Sequence, residues 1–483
     1  LKGFSVGKFR GIPFDRPAKG GKPDYVLEDD ELSKEWNRQK SDEHKEYLKS
    51  ENLSRRTRQA TAMAVEYQYK TFYISWSVDW RGRIYSQQSW LHPQSSDYEK
   101  SLLKFRDGCK LNDDALYWCR AAIGAAYCGT RISFADRIKW TEEHQNLIQA
   151  VANDPLSSIP DWEVAKEPWQ FLQLCLEWND VVITKKDKFW KIPLGADATA
   201  SGLQLLSAMR RDPVGMKYAN LLAPEANDSA PEDAYMKVLA EAKAMAEKDS
   251  GYTHLIPYLQ YRGVGKPAVM LSVYGGSAQS IYEGIRDALS EAAVSVSVAD
   301  ARLVATLVAK ASKKVFPAAY QALEWLKKLA RKAHDNGSTS LTWSTPTDDV
   351  IHCIKNKIET LEIYTTFNGK VSIGDFNSSE PDLKKEVSSF PPSFVHCYDA
   401  ALMKEAFTDW QHPIALIHDC IKVLPSDMDR ALDRIRDAFV SVVAGDPLAR
   451  LADDLGVTEE QLPRLPQLKQ DLSCVQDSKY MLN

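Results

Sequence analysis

The most constraining stretch of the chain is Ile192-Pro-Leu-Gly-Ala-Asp197-Ala198-Thr-Ala-Ser201-Gly202-Leu-Gln204-Leu-Leu-Ser-Ala-Met209. Its apolar run, Ile192 to Ala196, reads as a short buried strand that ends on a carboxylate. The small residues from Ala198 to Gly202 allow a tight turn. Leu203, Leu206 and Met209 then recur at helical spacing, which predicts a helix with Arg210 and Arg211 turned outward. A carboxylate at the carboxyl end of a buried strand is fixed yet open to a ligand. Mg²⁺ suits such a place, because it takes one or two carboxylates and otherwise keeps water or phosphate oxygens. Taken alone, Asp197 serves equally well as a cap for the helix that follows.

A second stretch complements the first. In Ile414-Ala-Leu-Ile417-His418-Asp419-Cys420-Ile421-Lys422-Val423, two apolar runs flank a His-Asp pair, which predicts a β-hairpin with the acid at its tip. Alone it is also an ordinary polar turn. Together, two strand-end aspartates from distant segments suit two metal ions roughly 3.5–4 Å apart, the arrangement used for in-line displacement at phosphorus.

With both stretches in hand, a family pattern emerges. Asp197-x-x-x-Ser201-Gly202-x-Gln204 resembles the first metal-binding motif of the single-subunit, bacteriophage-type RNA polymerases, and His418-Asp419 resembles their third. Arg262-Gly-Val-Gly-Lys266-Pro-Ala-Val-Met270-x-x-x-Tyr274-Gly275 resembles their second, a nucleotide-binding helix. Asp79-Trp80-Arg81-Gly82-Arg83-Ile84-Tyr85 and Phe394-Val-His396-x-x-Asp399 are similar to further family signatures. The five motifs stand in family order.

The resemblance implies an α+β, mainly helical fold. It would be a right-hand polymerase palm built on a small antiparallel sheet, with fingers, lacking most of the thumb and the N-terminal domain. Residues 1–72 would be an arm and a helical segment, 73–224 the first part of the palm, 225–393 the fingers, and 394–483 the rest of the palm and the tail. The implied activity is that of a DNA-directed RNA polymerase catalytic subunit, transferring nucleotides from rNTPs to an RNA 3′-hydroxyl. Two Mg²⁺ ions would be held by Asp197, Asp419 and the carbonyl of Ala198. Lys266, Arg262 and Lys139 would approach the triphosphate. Tyr274, with His396, would test for the ribose 2′-hydroxyl, and Arg83 would lie beside the growing RNA end. Arg55, Arg56, Arg58 and Arg81 would meet the nucleic-acid backbone. The plain alternatives are a solvated helix face for the first three and a salt bridge from Asp79 for Arg81 or Arg83.

The implied partners are a DNA template, the RNA product, a second smaller subunit that supplies the thumb and N-terminal contacts, and a single-stranded-DNA-binding or promoter factor. The implied setting is the cytoplasm of an infected bacterial host. Two rivals stand beside this reading: a DNA polymerase of the related hand-shaped class and an inactive scaffold subunit. Ser201-Gly202-x-Gln204 argues against the first, because it replaces the bulky glutamate-containing turn that would block a 2′-hydroxyl.

Composition sets outer bounds. At 483 residues the chain has room for two to four domains. Its net charge of −5 lacks the basic excess of a protein that coats duplex DNA, which leaves room for a local basic channel. Eight cysteines without a CxxC pair suggest neither a zinc site nor a disulfide framework, so reduced thiols are expected. No apolar run reaches the ~18 residues of a membrane span, and neither a signal nor a transit peptide is expected. Residues 29–70 read as helix, 374–393 as loop, and 427–443 as an amphipathic helix. Pro267 places the start of its helix around Gly265, and His396 is expected to open another. The tail, Lys479 to Asn483, departs from the small, aromatic-rich tail of the best-known phage enzymes, so its role at the site is left open.

Overall fold

The computed structural model describes residues 30–226, 228–273, 276–365, 369–375 and 380–483. Helix α1 (Asp30–Tyr67) runs for 38 residues. Strands β1 (Trp76–Val78) and β2 (Ile84–Ser86) follow as an antiparallel pair, then α2 (Asp97–Ser101). The apolar, aromatic run Tyr73–Val78 reads as a strand, but only Trp76–Val78 pairs, and Tyr73 itself is exposed. The guanidinium of Arg56 in α1 pairs at 2.6 Å with Glu99 of α2, which is buried.

A helical block comes next: α3 (Asp113–Cys128), α4 (Phe134–Glu143), α5 (Gln145–Asn153), α6 (Ile159–Trp162) and α7 (Pro168–Trp178). Asn112 and Ser133 start α3 and α4 by accepting from the Ala115 and Asp136 amides, donors that an uncapped helix start leaves unpaired. Helix α7 buries Phe171, Leu172, Leu174, Cys175 and Trp178, as their apolar spacing predicts.

Strand β3 (Leu194–Asp197) leads into α8 (Ser201–Met209) and α9 (Pro213–Tyr218). A second helical group follows: α10 (Ala234–Lys248), α11 (Arg262–Val273), α12 (Ala278–Glu291), α13 (Val298–Val315) and α14 (Pro317–Asp335). Two hairpins, β4 (Leu341–Ser344) with β5 (Val350–Cys353) and β6 (Glu359–Thr365) with β7 (Gly369–Asp375), precede α15 (Leu383–Phe407). Strands β8 (Ile414–Ile417) and β9 (Cys420–Val423), then α16 (Met428–Val442) and α17 (Pro447–Asp454), complete the helices and strands used below. The fold is α+β, mainly helical, with small antiparallel sheets. No helix among the described residues is long and apolar enough to cross a membrane.

The central sheet has the order β3-β9-β8, antiparallel throughout. Leu194 and Ala196 of β3, with Ile421 and Val423 of β9, are buried on one face. Because side chains alternate along a strand, Gly195 and Asp197 fall on the other.

Several local expectations change. Arg210 does not turn outward. Every residue of α8 is buried, so the helix has no wet face, and Arg210 at its end is itself buried and donates to Gln321 at 3.4 Å. Residues 374–393 are not a loop throughout: β7 runs to Asp375, residues 376–379 lie outside the described residues, and α15 starts at Leu383, where Asp382 accepts from the Lys385 amide. Pro391 and Pro392 lie inside α15, where their neighbours Phe390 and Phe394 pack on the Trp343 ring at centroid distances of 5.3 and 6.5 Å. Packing there outweighs the helix-breaking cost of proline. His396 consequently sits mid-helix rather than at a helix start.

Helix α11 starts at Arg262, ahead of Gly265, and carries Pro267 internally. The Pro267 ring is seated against Gly284 of α12, where a Cβ would come within 2.9 Å. A Cβ at Gly265 would stand 2.8 Å from the Tyr235 carbonyl oxygen of α10, so glycine lets α11 lie directly on that backbone. Gly265→Ala is therefore expected to lower the unfolding free energy by about 1–3 kcal/mol, the usual cost of overpacking. Denaturant unfolding checks this; an unchanged midpoint would contradict so tight an approach.

Candidate active site

The register of the central sheet brings the two strand-end acids together. Asp197 pairs with Cys420 across β3 and β9, and Ile417 pairs with Cys420 across β8 and β9. His418 and Asp419 are therefore the two residues of the hairpin turn, and Asp419 directly precedes the partner of Asp197. His418 holds the left-handed backbone conformation at φ 58°, unusual for a non-glycine residue. Its ring meets that of Tyr85 at 4.8 Å. Asp197 does not cap α8: the cap position is Ala200, with no side-chain hydrogen bond.

Asp197 is open to solvent on one side while protein crowds the other. Burial, then the negative charge of Asp419, push its carboxyl up to about 6; the Lys100 charge and the Ala198 amide oppose that rise. Two carboxylates that repel each other from neighbouring strand ends form a site that a divalent cation relieves. Among the described residues no group of three or more His, Cys, Asp or Glu is placed to hold a metal. A two-carboxylate set fits Mg²⁺, which completes its shell with water and substrate oxygens, better than zinc.

The last residues of the chain line the same strand. The Asn483 amide donates to the Asp197 carbonyl at 2.8 Å, the Asp197 amide to the Asn483 carbonyl at 3.2 Å, and the Thr199 amide to the Met481 carbonyl at 3.2 Å. Ala198 faces Leu482 between these bonded pairs. An antiparallel ladder alternates its bonding edges, so the Ala198 carbonyl is directed to the opposite edge, where β9 begins. The Gln204 amide donates to the Met481 carbonyl at 2.9 Å and to the Ala219 carbonyl at 3.0 Å. Gln204 is thus the clip that holds the tail. Tyr480 stacks on Phe134 at 5.0 Å, and Arg137 donates to the Asn483 side chain. Sequence reasoning left this strand open, and no local pattern marks it.

On the far side, the turn between β1 and β2 is knotted around Asp79. Its Oδ1 accepts from the Arg81 and Arg83 amides at 2.9 and 3.0 Å. Its Oδ2 accepts from Arg81 Nε at 2.9 Å and Nη2 at 2.6 Å. Gly82 closes the turn at φ 87°, against Ala400 of α15. Arg81 Nη1 lies 2.9 Å from His396 Nδ1. Arg83 Nη2 donates to Asp399 Oδ2 at 2.6 Å. Burial pushes Asp399 up to about 7 even against the Arg83 charge, and Asp419 adds to the rise. Burial, with the Arg83 and Arg81 charges, pushes His396 down to about 3.

The remaining expected residues are spread more widely. Arg262 opens α11, bonds Asp233 at 2.5 Å and lies 4.5 Å over the Tyr235 ring. The charge of Asp197 reaches Tyr235, which links this corner to the acids. Lys266 is exposed one turn along α11. Tyr274 lies outside the described residues. Arg131, which sequence reasoning missed, has its pKa lowered by burial and by the Arg262 charge, with Asp233 opposing the fall. Lys100 was missed as well. Neither stands in a local motif. Lys139 is exposed on α4, 4.0 Å from Glu143. Arg55 donates to Asn52, Arg58 is exposed, and Arg56 is engaged by Glu99.

With this geometry in view, a model of the DNA-dependent RNA polymerase family matches residues 109–481. The chain belongs to that family. It is 30% identical to the DNA-directed RNA polymerase of Pseudomonas phage phiKMV, over 98% of this chain and 61% of that enzyme. It is 27% identical to the T7 RNA polymerase of Escherichia phage T7, over 83% of this chain and 51% of the relative. It is 26% identical to the mitochondrial DNA-directed RNA polymerase of Schizosaccharomyces pombe, over 79% and 35% respectively. The chain thus spans about half to three fifths of the length of the phage relatives.

A carboxyl raised in the folded state favours folding at low pH. The folded chain binds a proton that the unfolded chain has lost, and the advantage vanishes as pH rises through the folded value. For Asp197 the window runs from about 4 to about 6. Without divalent ions, Asp197→Asn is expected to be more stable than the wild type at pH 8, with the difference gone by about pH 4. Parallel denaturant titrations across that range check it; a difference that does not change with pH would contradict the crowding of the two acids.

Proposed function

We propose that this chain carries out the nucleotidyl-transfer step of a DNA-directed RNA polymerase. It would extend an RNA 3′-hydroxyl from rNTPs on a DNA template in the cytoplasm of an infected bacterial host. The observation that carries this reading is the convergence of Asp197 and Asp419 on neighbouring positions of one sheet. Their carboxylates and the Ala198 carbonyl would hold two Mg²⁺ ions. Bound there, such ions supply Lewis acidity at the transferring phosphoryl group and neutralise its charge.

The protein's own part is position and charge. Arg262, Lys266 and Arg131 would bring positive charge to the approach to the acids and neutralise the triphosphate so that its α-phosphate lies in line with the RNA end. Arg262 is prepositioned by Asp233 and the Tyr235 ring. Arg83, held by Asp399, would sit beside the RNA 3′-nucleotide. His396 and Tyr274 would meet the ribose. A site built to hydrogen-bond a hydroxyl rejects a substrate that lacks it, because its own polar groups are then left unpaired. The β1–β2 pair and the central sheet would belong to the palm, and α10 to α14 with the two hairpins β4–β5 and β6–β7 to the fingers.

The second subunit is a separate proposal. Native mass analysis of the polymerase from infected cells tests it: a companion chain supports it, and a single longer polypeptide overturns it.

For the activity itself, Asp419→Asn is expected to abolish RNA synthesis on single-stranded DNA while leaving the unfolding transition in place. Retention of about a tenth of the wild-type rate, a barrier change of only ~1.4 kcal/mol, would refute its assignment. Running the same assay with dNTPs separates the DNA-polymerase rival: preferential use of dNTPs would favour it.

A further inference from the structure

The contact between Arg81 and His396 decides more than where a ring sits. A guanidinium has five N–H donors, no acceptor, and stays charged in proteins. Arg81 Nη1 stands 2.9 Å from His396 Nδ1, hydrogen-bond distance, so Nδ1 has to present its lone pair. Either a proton on Nδ1 or a doubly protonated ring would set donor against donor. Arg81 has little freedom to turn away. Asp79 Oδ2 grips its Nε at 2.9 Å and its Nη2 at 2.6 Å, and the Tyr85 hydroxyl accepts from Nη2 at 3.3 Å. Asp79 is itself fixed by the amides of Arg81 and Arg83 and by the closed turn at Gly82. The ring is partly buried in α15, among the charges of Arg83, Arg81, Asp79 and His418, whose balance with burial keeps it neutral.

We propose that Arg81 is a positioning residue. Locked by Asp79, it holds His396 as the neutral tautomer with its proton on Nε2, so that the ring offers a fixed donor to the ribose 2′-hydroxyl of the incoming nucleotide. The ribose half of this proposal rests on the polymerase reading above; the tautomer half does not. A histidine left to choose its tautomer offers a donor or an acceptor, and part of the hydrogen bond's worth goes into ordering it. Fixing the proton in advance removes that cost, since second-sphere hydrogen bonds set which ring nitrogen is protonated. Arg81, expected from the sequence to meet nucleic acid, would then act on the substrate only through His396.

The test uses the full chain labelled with ¹⁵N-histidine, with His396→Gln identifying the resonances of this ring. The wild type is expected to show two distinct nitrogens at neutral pH, Nε2 protonated and Nδ1 not. Arg81→Met is expected to bring the two signals toward an exchange average. Arg81→Lys, which keeps a charged donor, is expected to restore them. A wild-type ring protonated on Nδ1, or already averaged, would overturn the proposal.

The second readout is the ratio of kcat/KM for an rNTP to that for the matching dNTP. Arg81→Met is expected to lower it about tenfold, the worth of one hydrogen bond, mainly through a higher KM for the rNTP. Arg81→Lys is expected to recover most of it. A folded Arg81→Met with unchanged selectivity would overturn the ribose half. Absence of RNA synthesis by the wild type would overturn the polymerase reading and that half with it. The nitrogen signals, read without substrate, would still decide whether Arg81 sets the tautomer.

Discussion

Two like charges held against each other by strand register are what the rest of the molecule accommodates. Asp197 and Asp419 would separate if free to do so. They stay because the opposite face of their sheet is committed to the core through Leu194, Ala196, Ile421 and Val423. A slip of one residue would turn those side chains to water and send Asp197 inward, so burial of four apolar groups holds Asp197 within reach of the Asp419 charge. The two-residue turn leaves no slack, and His418 accepts a left-handed backbone to keep it short. The tail closes the other edge of β3 with three backbone hydrogen bonds. The acids are thus gripped from both sides of the strand.

The positive groups around them are mostly engaged inside the protein. Arg56 is taken by Glu99, Arg81 by Asp79 and His396, Arg83 by Asp399, and Arg262 by Asp233. Withdrawing such pairs from water costs free energy, and Asp399 records it by staying raised beside its own arginine. What the pairs provide is orientation: each guanidinium is aimed before any ligand arrives.

How much of this was legible in the chain follows from the range of the forces involved. The strand–acid–turn–helix of residues 192–209 and the hairpin of 414–423 are written in periods of two and 3.6, so both acids could be named. Family resemblance singled out Arg81, Arg83 and His396, and the fold brings Arg81 onto His396 and Arg83 onto Asp399. Gln204 stood in a motif, but its work as a clip for Met481 depends on a partner 277 positions away. Arg131 gains meaning only beside Arg262, and Arg210 is buried because neighbouring helices leave α8 no wet face. The prolines of α15 read as loop because propensity is local, while the aromatic packing on Trp343 that overrides it is not. Short-range patterning set the elements, and long-range contacts set the jobs of individual side chains.

Helix α1 also has a mechanical aspect. At 1.5 Å per residue it is a rod about 57 Å long. It is tied to α2 by the Arg56–Glu99 pair and by the hydroxyl contact of Thr61 with Tyr98 at 2.6 Å. Asp30 lies about 40 Å along the rod from that pair, so a tilt of about 10° there would carry the tip through roughly 7 Å. The pivot lies on α2, next to Lys100, whose charge bears on Asp197. A tilt of the rod would therefore be felt first at α2, beside a cation whose charge bears on Asp197.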